Sequence, residues 1–142
     1  EIGPQVRLLS YHTLLDHRNI ILPMMTQDCP WYSSVMMKAG YPKMASAMRH
    51  LMKINVESAE EAKQKISTAL DNLTETLGDR EFLVGESFTR ADLSVAALLA
   101  PLLMPQGYGV DWPEKVPEPL AGQIKSFQGR LGWVGHIYDN FR

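Results

Sequence analysis

The sequence has little cysteine, little excess charge and no long apolar run. Cys29 is the only cysteine in 142 residues, which excludes an internal disulfide and suits a reducing compartment. The formal net charge is −2 at pH 7 and no run of Lys and Arg occurs, so the sequence offers no footprint for nucleic acid. The longest apolar stretch, residues 93–104, is far shorter than the ~20 residues that span a bilayer. We therefore expect a cytoplasmic protein that contacts neither nucleic acid nor membrane.

The start of the chain also lacks features of a complete precursor. It opens on Glu1 rather than Met, and no basic region followed by an apolar one is present. We therefore expect a fragment or a processed chain with something missing upstream. The length suits one domain, and the hydrophobic content of 45% is ordinary for a globular protein. Since no linker or internal repeat is visible, residues 1–142 are predicted to form a single domain.

Strand patterning is nearly absent, whereas helical periodicity is strong. The clearest predicted helix covers residues 58–77, with Ser58 and Glu61 as a capping box, Gly78 as a stop, and Glu61 paired with Lys65. Its apolar residues recur at spacings of three and four on one face: Ala59, Ala62, Ile66, Ala69, Leu70, Leu73 and Leu77. Further helices are predicted over residues 4–22, 31–39, 42–54, 120–131 and 132–141, with an irregular loop over residues 108–119. The predicted fold class is all-α.

The most informative segment is residues 82–96. Thr89 is predicted to cap the next helix, with the Asp92 carboxylate reaching back to the N–H of Thr89. Phe88 and Leu93 flank this box at the positions of a hydrophobic staple. The helix that follows is apolar on nearly all sides, which predicts a place at the centre of a bundle. Asp92 is therefore interpreted as a structural cap, with a chemical role as the alternative.

This segment resembles a known family signature. Phe-Leu-Val-Gly at residues 82–85, followed by Ser-Phe-Thr-x-Ala-Asp at residues 87–92, is similar to the signature of the glutathione transferase C-terminal domain. In that family the Thr and the Asp form the capping box of the central helix. The helix carrying Leu70 is similar to the one that leads into the signature, and residues 133–142, ending in Arg142, are similar to the closing helix. The resemblance implies a helical bundle around a buried central helix.

The resemblance also implies that two domains share the function. In this family an N-terminal thioredoxin-like domain holds glutathione and activates its thiol, and the sequence contains no β-α-β pattern for such a domain. The chain is therefore expected to supply no catalytic residue, to bind no cofactor alone, and to be an enzyme only together with the missing domain. Glutathione would be the co-substrate of the intact enzyme, which conjugates it to small electrophiles. The C-terminal domain is expected to shape the acceptor pocket and a homodimer interface. The alternative is a non-catalytic protein-docking module.

In the family, the acceptor pocket draws on the first helix and on the region after the central helix. Tyr11, Leu15 and Arg18 are spaced by four and three, so they are predicted to share one face of the first helix. Tyr11 offers an amphipathic ring, and Arg18 could meet a glutathione carboxylate. His17 competes with Arg18 for that role, and the sequence does not choose between them. The alternative is that Tyr11 packs in the core and Arg18 is solvated.

Three other features, namely the cysteine, the histidines and the methionines, are candidates for either a structural or a functional role. Cys29 precedes Pro30 and the predicted helix at Trp31, so either a structural cysteine or a reactive thiolate is open. The histidines show no ligand spacing, and no metal site is predicted. The methionines of the middle stretch suit core packing, or else flexible contacts with a partner or ligand. These methionines are Met36, Met37, Met44, Met48 and Met52.

Overall fold

A computed structural model describes residues 2–141; Glu1 and Arg142 lie outside the described residues. Arg142 is the end of the segment that is similar to the family's closing helix. Residues 2–141 form seven α-helices and contain no strand, which confirms the all-α class. None of these helices is long and apolar enough to cross a bilayer. The helices are α1 (Ile2–Leu14), α2 (Arg18–Thr26), α3 (Trp31–Leu51), α4 (Val56–Leu77), α5 (Arg90–Leu103), α6 (Leu120–Phe127) and α7 (Gly132–Phe141).

The core lies where α1, α4, α5 and α7 meet. α1 packs along α4 and α5, and α5 packs on α7. The apolar stripe of α4 faces this core as predicted, with Ile66 and Leu70 fully buried. α5 contributes Leu99 and Leu102, also fully buried. Burial of these side chains is the main stabilising term of the bundle, because each removes apolar surface from water.

The start of α4 differs from the prediction. The N-cap is Asn55, whose Oδ1 accepts from the N–H of Ser58 at 2.8 Å, while Ser58 Oγ accepts from the N–H of Asn55 at 3.0 Å. Ser58 therefore closes the capping box from inside the helix, and the predicted box of Ser58 with Glu61 is wrong. Asn in extended backbone is a strong N-cap, so the helix starts one turn earlier. The stop at Gly78, with φ 52°, and the pair of Glu61 with Lys65 at 2.7 Å are confirmed.

The first predicted helix is interrupted. α1 ends at Leu14 and α2 begins at Arg18, so a single helix over residues 4–22 is wrong. The turn is closed by hydrogen bonds of i to i−3 type, from the N–H of Asp16 to Thr13 O at 3.1 Å and from the N–H of His17 to Leu14 O at 2.9 Å. No glycine or proline stands at this break, so the sequence gives no local signal for it.

The predicted break at residues 40–42 is also wrong, because one helix continues where two were expected. α3 runs unbroken from Trp31 to Leu51 with Pro42 inside it. Tyr41 holds the helix against the core: its side chain is 6% exposed, and its hydroxyl donates to Leu15 O at 2.9 Å. Burial raises the pKa of Tyr41 above its ordinary value, so the phenol stays a donor. Tertiary contacts thus outweigh the helix-breaking tendency of this segment.

The surroundings of α5 are also more open than predicted. Ala96 and Ala100 are buried on its inner side, but Leu93 and Leu98 are 42% and 45% exposed. Phe88 stacks on Phe141 with ring centroids 4.8 Å apart, while Leu93, its expected staple partner, faces outward. α5 is therefore buried along its inner side and partly exposed to solvent at Leu93 and at Leu98.

The segments after α5 follow the prediction closely. Residues 104–119 are irregular and contain the predicted loop over residues 108–119. α6 is followed by a short 3-10 turn over Gln128–Arg130, and α7 then closes the bundle. Most of the methionines of the middle stretch are half-buried against the core, whereas Met36 is 69% exposed.

Candidate functional site

An apolar cavity lies between α1 and α5 and is called here the α1–α5 cavity. Its volume is about 510 Å³, which is within the usual range for small-molecule sites. α1 lines it with one face, at helical spacing: Gly3, Val6, Arg7, Ser10, Tyr11 and Leu14. α5 lines the opposite side with Ala97, Leu98 and Pro101. A Cβ at Gly3 would lie 2.7 Å from Leu98 Cδ2, so the glycine permits the close approach of the two helices.

The segment after α5 closes the cavity with aromatic rings. Tyr108 stacks on Trp112 with ring centroids 4.8 Å apart and an interplanar angle of 25°. The indole Nε1–H of Trp112 donates to Pro105 O at 2.8 Å, which fixes the plane of the ring. Both rings face the cavity, together with Val110 and Pro113. This wall is therefore apolar and has a defined orientation.

The remaining lining is unusually rich in methionine. Met24, Met25, Met48, Met52 and Met104 all face the α1–α5 cavity. Thioether side chains adapt their shape to a ligand and make favourable contacts with aromatic rings. The cavity is thus suited to flat or irregular apolar molecules more than to one rigid polar ligand.

A second depression, the α2 groove, lies on the other side of Trp112 and Met24. It has a volume of about 660 Å³ and is more polar, with His17, Asn19, Asp111, Glu114 and Lys115 along it. The N–H of Asp111 donates to Gln27 Oε1 at 2.7 Å, which ties the loop to the end of α2. The two spaces share a wall but differ in chemistry.

The four predicted binding residues do not converge on one space. Because the first helix ends at Leu14, the predicted common face of Tyr11, Leu15 and Arg18 is wrong. Tyr11 lines the α1–α5 cavity, whereas Leu15 is 3% exposed and belongs to the core. His17 lines the α2 groove, and its Nδ1 donates to Thr13 O at 3.0 Å. Their roles in ligand binding stay predictions, now attached to different places.

Arg18 has a structural partner that the sequence did not reveal. Its guanidinium donates to Lys38 O at 2.7 Å and lies over the ring of Tyr41, 5.8 Å from the centroid. Lys38 is the residue whose carbonyl would accept from residue 42 in a regular helix, and Pro42 has no N–H to donate. Arg18 therefore replaces the missing donor, which explains why α3 continues through Pro42.

The capping box at α5 is confirmed in detail. Asp92 is fully buried, and its Oδ2 accepts from the N–H and the hydroxyl of Thr89 at 2.8 and 2.6 Å. Its Oδ1 accepts from the N–H of Leu83 at 2.7 Å, and Thr89 Oγ1 accepts from the N–H of Ala91 at 3.2 Å. Burial alone would raise the pKa of Asp92, but these hydrogen bonds, led by that of Leu83, hold its pKa below the ordinary value. Asp92 thus joins the preceding loop to α5.

No cluster of three or more His, Cys, Asp or Glu side chains that could hold a metal ion occurs within residues 2–141. Cys29 is exposed, one residue before the N-cap Pro30 of α3. His136 lies 3.1 Å from Glu81 Oε1 and pairs with it at the surface. These residues stand apart from the α1–α5 cavity.

Sequence reasoning missed Arg7 as a site residue. Arg7 stands one turn before Tyr11 on the face of α1 that lines the cavity. Arg7 and Tyr11 are four residues apart, a spacing that puts both side chains on one face of a helix. The prediction instead extends that face from Tyr11 toward Arg18.

Comparison with known families gives one match. The family model described as glutathione S-transferase, C-terminal domain, matches residues 23–118, about two thirds of the chain. The match contains the whole of α3, α4 and α5 together with the capping box of Thr89 and Asp92. The chain belongs to the glutathione S-transferase C-terminal domain family. Comparison with curated proteins and with solved structures gives no significant match.

Proposed function

We propose that the chain is the C-terminal domain of a glutathione transferase and that its α1–α5 cavity forms the wall of the acceptor pocket. The proposal is supported mainly by which segments of the chain line the cavity. One face of α1 and the segment from Met104 to Pro113 after α5 enclose an apolar space of about 510 Å³. These are the two regions that the family resemblance implies for the acceptor site. An apolar electrophile would be held there by burial and by contact with aromatic rings and thioethers.

The rest of the reaction belongs to a domain outside these residues. A thioredoxin-like domain would hold glutathione and favour its thiolate, with the thiol proton released to solvent. The sulfur then bonds to the electrophilic carbon of the acceptor, and with an aryl halide the carbon–halogen bond breaks and halide leaves. Leu93, 42% exposed on α5, offers apolar surface for that domain to cover. The proposal places the protein in the cytoplasm, where an exposed thiol such as that of Cys29 stays reduced.

Ligand binding to the cavity can be tested with the 142-residue chain. We expect naphthalene derivatives to perturb the NMR signals of Tyr11, Trp112 and the cavity methionines. Ala97→Phe places a ring in the cavity and should weaken binding at least about tenfold, since the ligand and the new ring compete for one volume. Ala47→Phe on the exposed side of α3 is the matched control and should bind like the parent. Equal binding by parent and Ala97→Phe would remove the cavity from the proposal.

A second test concerns catalysis by the chain alone. We expect no conjugation of glutathione to a model aryl halide above the uncatalysed rate, because thiol activation is assigned to the other domain. Turnover is measured for the parent and for Cys29→Ala under the same conditions. Activity in the parent that disappears in Cys29→Ala would make this exposed cysteine a nucleophile and overturn the assignment.

We also propose that the chain forms a two-fold dimer through the start of α3. Four apolar side chains stand exposed there, namely Trp31 at 80%, Tyr32 at 53%, Val35 at 58% and Met36 at 69%. No residue of α3 before Tyr41 is buried. Exposed apolar side chains grouped in this way are typical of interaction surfaces, and a two-fold axis lets one such patch cover its copy.

A further inference from the structure

We infer that the α1–α5 cavity selects an elongated apolar acceptor that carries one carboxylate, and that Arg7 is the residue that recognises this group. The inference rests on the proposed function, since it names the substrate class of the same cavity.

Within residues 2–141, the charge around the cavity is of positive sign only. Of the described residues that line it, Arg7 is the only one with a charged side chain, and none is Asp, Glu, Lys or His. The α2 groove, by contrast, carries the two carboxylates of Asp111 and Glu114 together with Lys115, so charges of both signs are mixed there. An anion is therefore attracted to the α1–α5 cavity, where no carboxylate among the described lining residues opposes Arg7, more than to the neighbouring groove.

The guanidinium of Arg7 is also uncommitted within residues 2–141. Arg18, Arg49, Arg80 and Arg130 each donate to a carbonyl or carboxylate of the chain. Arg7 makes no such contact, and Arg90, which also makes none, lines neither the cavity nor the groove. A guanidinium presents paired N–H donors that match a carboxylate, so Arg7 has both the charge and the geometry for this ligand.

The shape of the cavity determines the length and the apolar character of the remainder of the ligand. The lined face of α1 runs from Gly3 to Leu14, which corresponds to about 16 Å at the usual rise of an α-helix. Arg7 stands nearer the Gly3 end and is exposed to solvent, while Leu14, Ile21 and Met25 line the space further along. A carboxylate at Arg7 thus leaves an extended apolar portion to be buried among the methionines and aromatic rings.

The test compares two probes of the same shape by calorimetry and NMR. One is 1-naphthaleneacetate and the other is its neutral amide, 1-naphthaleneacetamide. The parent chain should bind the carboxylate about tenfold more tightly than the amide, as expected for a charge-assisted hydrogen bond. Arg7→Gln should abolish this preference and leave amide binding unchanged, and Arg7→Lys should restore part of it. Added salt should weaken carboxylate binding alone.

The controls separate this inference from the proposed function. Lys125→Gln removes one positive charge from an exposed site away from the cavity and should keep the tenfold preference. If both probes bind equally well to the parent, the cavity stands and the carboxylate inference is wrong. If neither probe binds, the proposed acceptor pocket fails as well. Binding of glutathione alone that depends on Arg7 would also overturn the inference, because Arg7 would then serve the co-substrate.

Discussion

Replacing Asp92 with Ala should lower the free energy of unfolding by roughly 2–4 kcal/mol. The carboxylate accepts three hydrogen bonds from Leu83 and Thr89 while it is fully buried. The substitution removes the cap of α5 and also leaves the N–H of Leu83 without its acceptor. Unsatisfied donors of this kind cost more than the loss of an exposed hydrogen bond. The measurement is urea unfolding followed by circular dichroism at pH 7.

Glu86→Ala is the matched control, because Glu86 is an exposed carboxylate of the same loop. It should change the free energy of unfolding by less than about 0.5 kcal/mol. Asp92→Asn should fall between parent and Asp92→Ala, since the amide keeps one acceptor oxygen and adds a donor that has no acceptor there. An unchanged unfolding midpoint for Asp92→Ala would contradict the structural role of the capping box.

The same carboxylate predicts a dependence on pH. The pKa of Asp92 is lower in the folded state than in the unfolded chain. Its contribution is therefore complete above the unfolded pKa, near 4, and is lost as the pH falls through the folded pKa. The difference in stability between the parent and Asp92→Ala should accordingly shrink on acidification from pH 7 toward about 3. A difference that grew with acid would require a raised pKa instead.

A double substitution of Val35 and Met36 with Glu should dissociate the proposed dimer. Two carboxylates from each copy would have to be buried against apolar side chains and against each other, so we expect the dissociation constant to rise at least about a hundredfold. Light scattering over a dilution series measures the effect. α3 contains no acidic residue, and Lys38 is the basic residue nearest to the substituted positions. An exposed pair between Lys38 and a new glutamate would offset little of the cost of burying the carboxylates.

Leu51→Glu is the control for this experiment. Leu51 is 80% exposed at the other end of α3, outside the proposed contact, so its substitution should leave the dimer intact. A parent chain that stays monomeric at every concentration would contradict the dimer. The uncovered start of α3 would then favour the alternative function, a docking module whose partner is another protein.

The features that were predictable from the sequence are those decided by residues close together in the chain. The capping box of Thr89 and Asp92 involves only residues 89–92, and Thr and Asp are residues that favour these two positions at the start of a helix. The buried stripe of α4 follows from helical periodicity in the same way. The family was predictable from the same region, because residues 82–92, which contain this box, resemble its signature.

The errors arose where distant residues decide the outcome. Gly40 and Pro42 predict a break in α3, yet two tertiary hydrogen bonds hold the helix together. Leu15 O, in the turn after α1, accepts from the hydroxyl of Tyr41, and Arg18 of α2 donates to Lys38 O. The turn after Leu14 separates Tyr11 from Arg18, and nothing in residues 15–17 announces it. The cavity runs along α1 from Leu14 to Gly3 and so includes Arg7, which lies outside the predicted site over residues 11–18.

The replacement of a backbone donor by Arg18 makes two distant positions interdependent. While residue 42 is proline, the carbonyl of Lys38 depends on the guanidinium of Arg18. An ordinary residue at position 42 would supply its own N–H to that carbonyl, and a change at Arg18 would then cost much less. The order of substitution therefore matters in the history of such a chain. A proline at position 42 costs less stability when Arg18 is already present, and loss of Arg18 costs more while the proline remains.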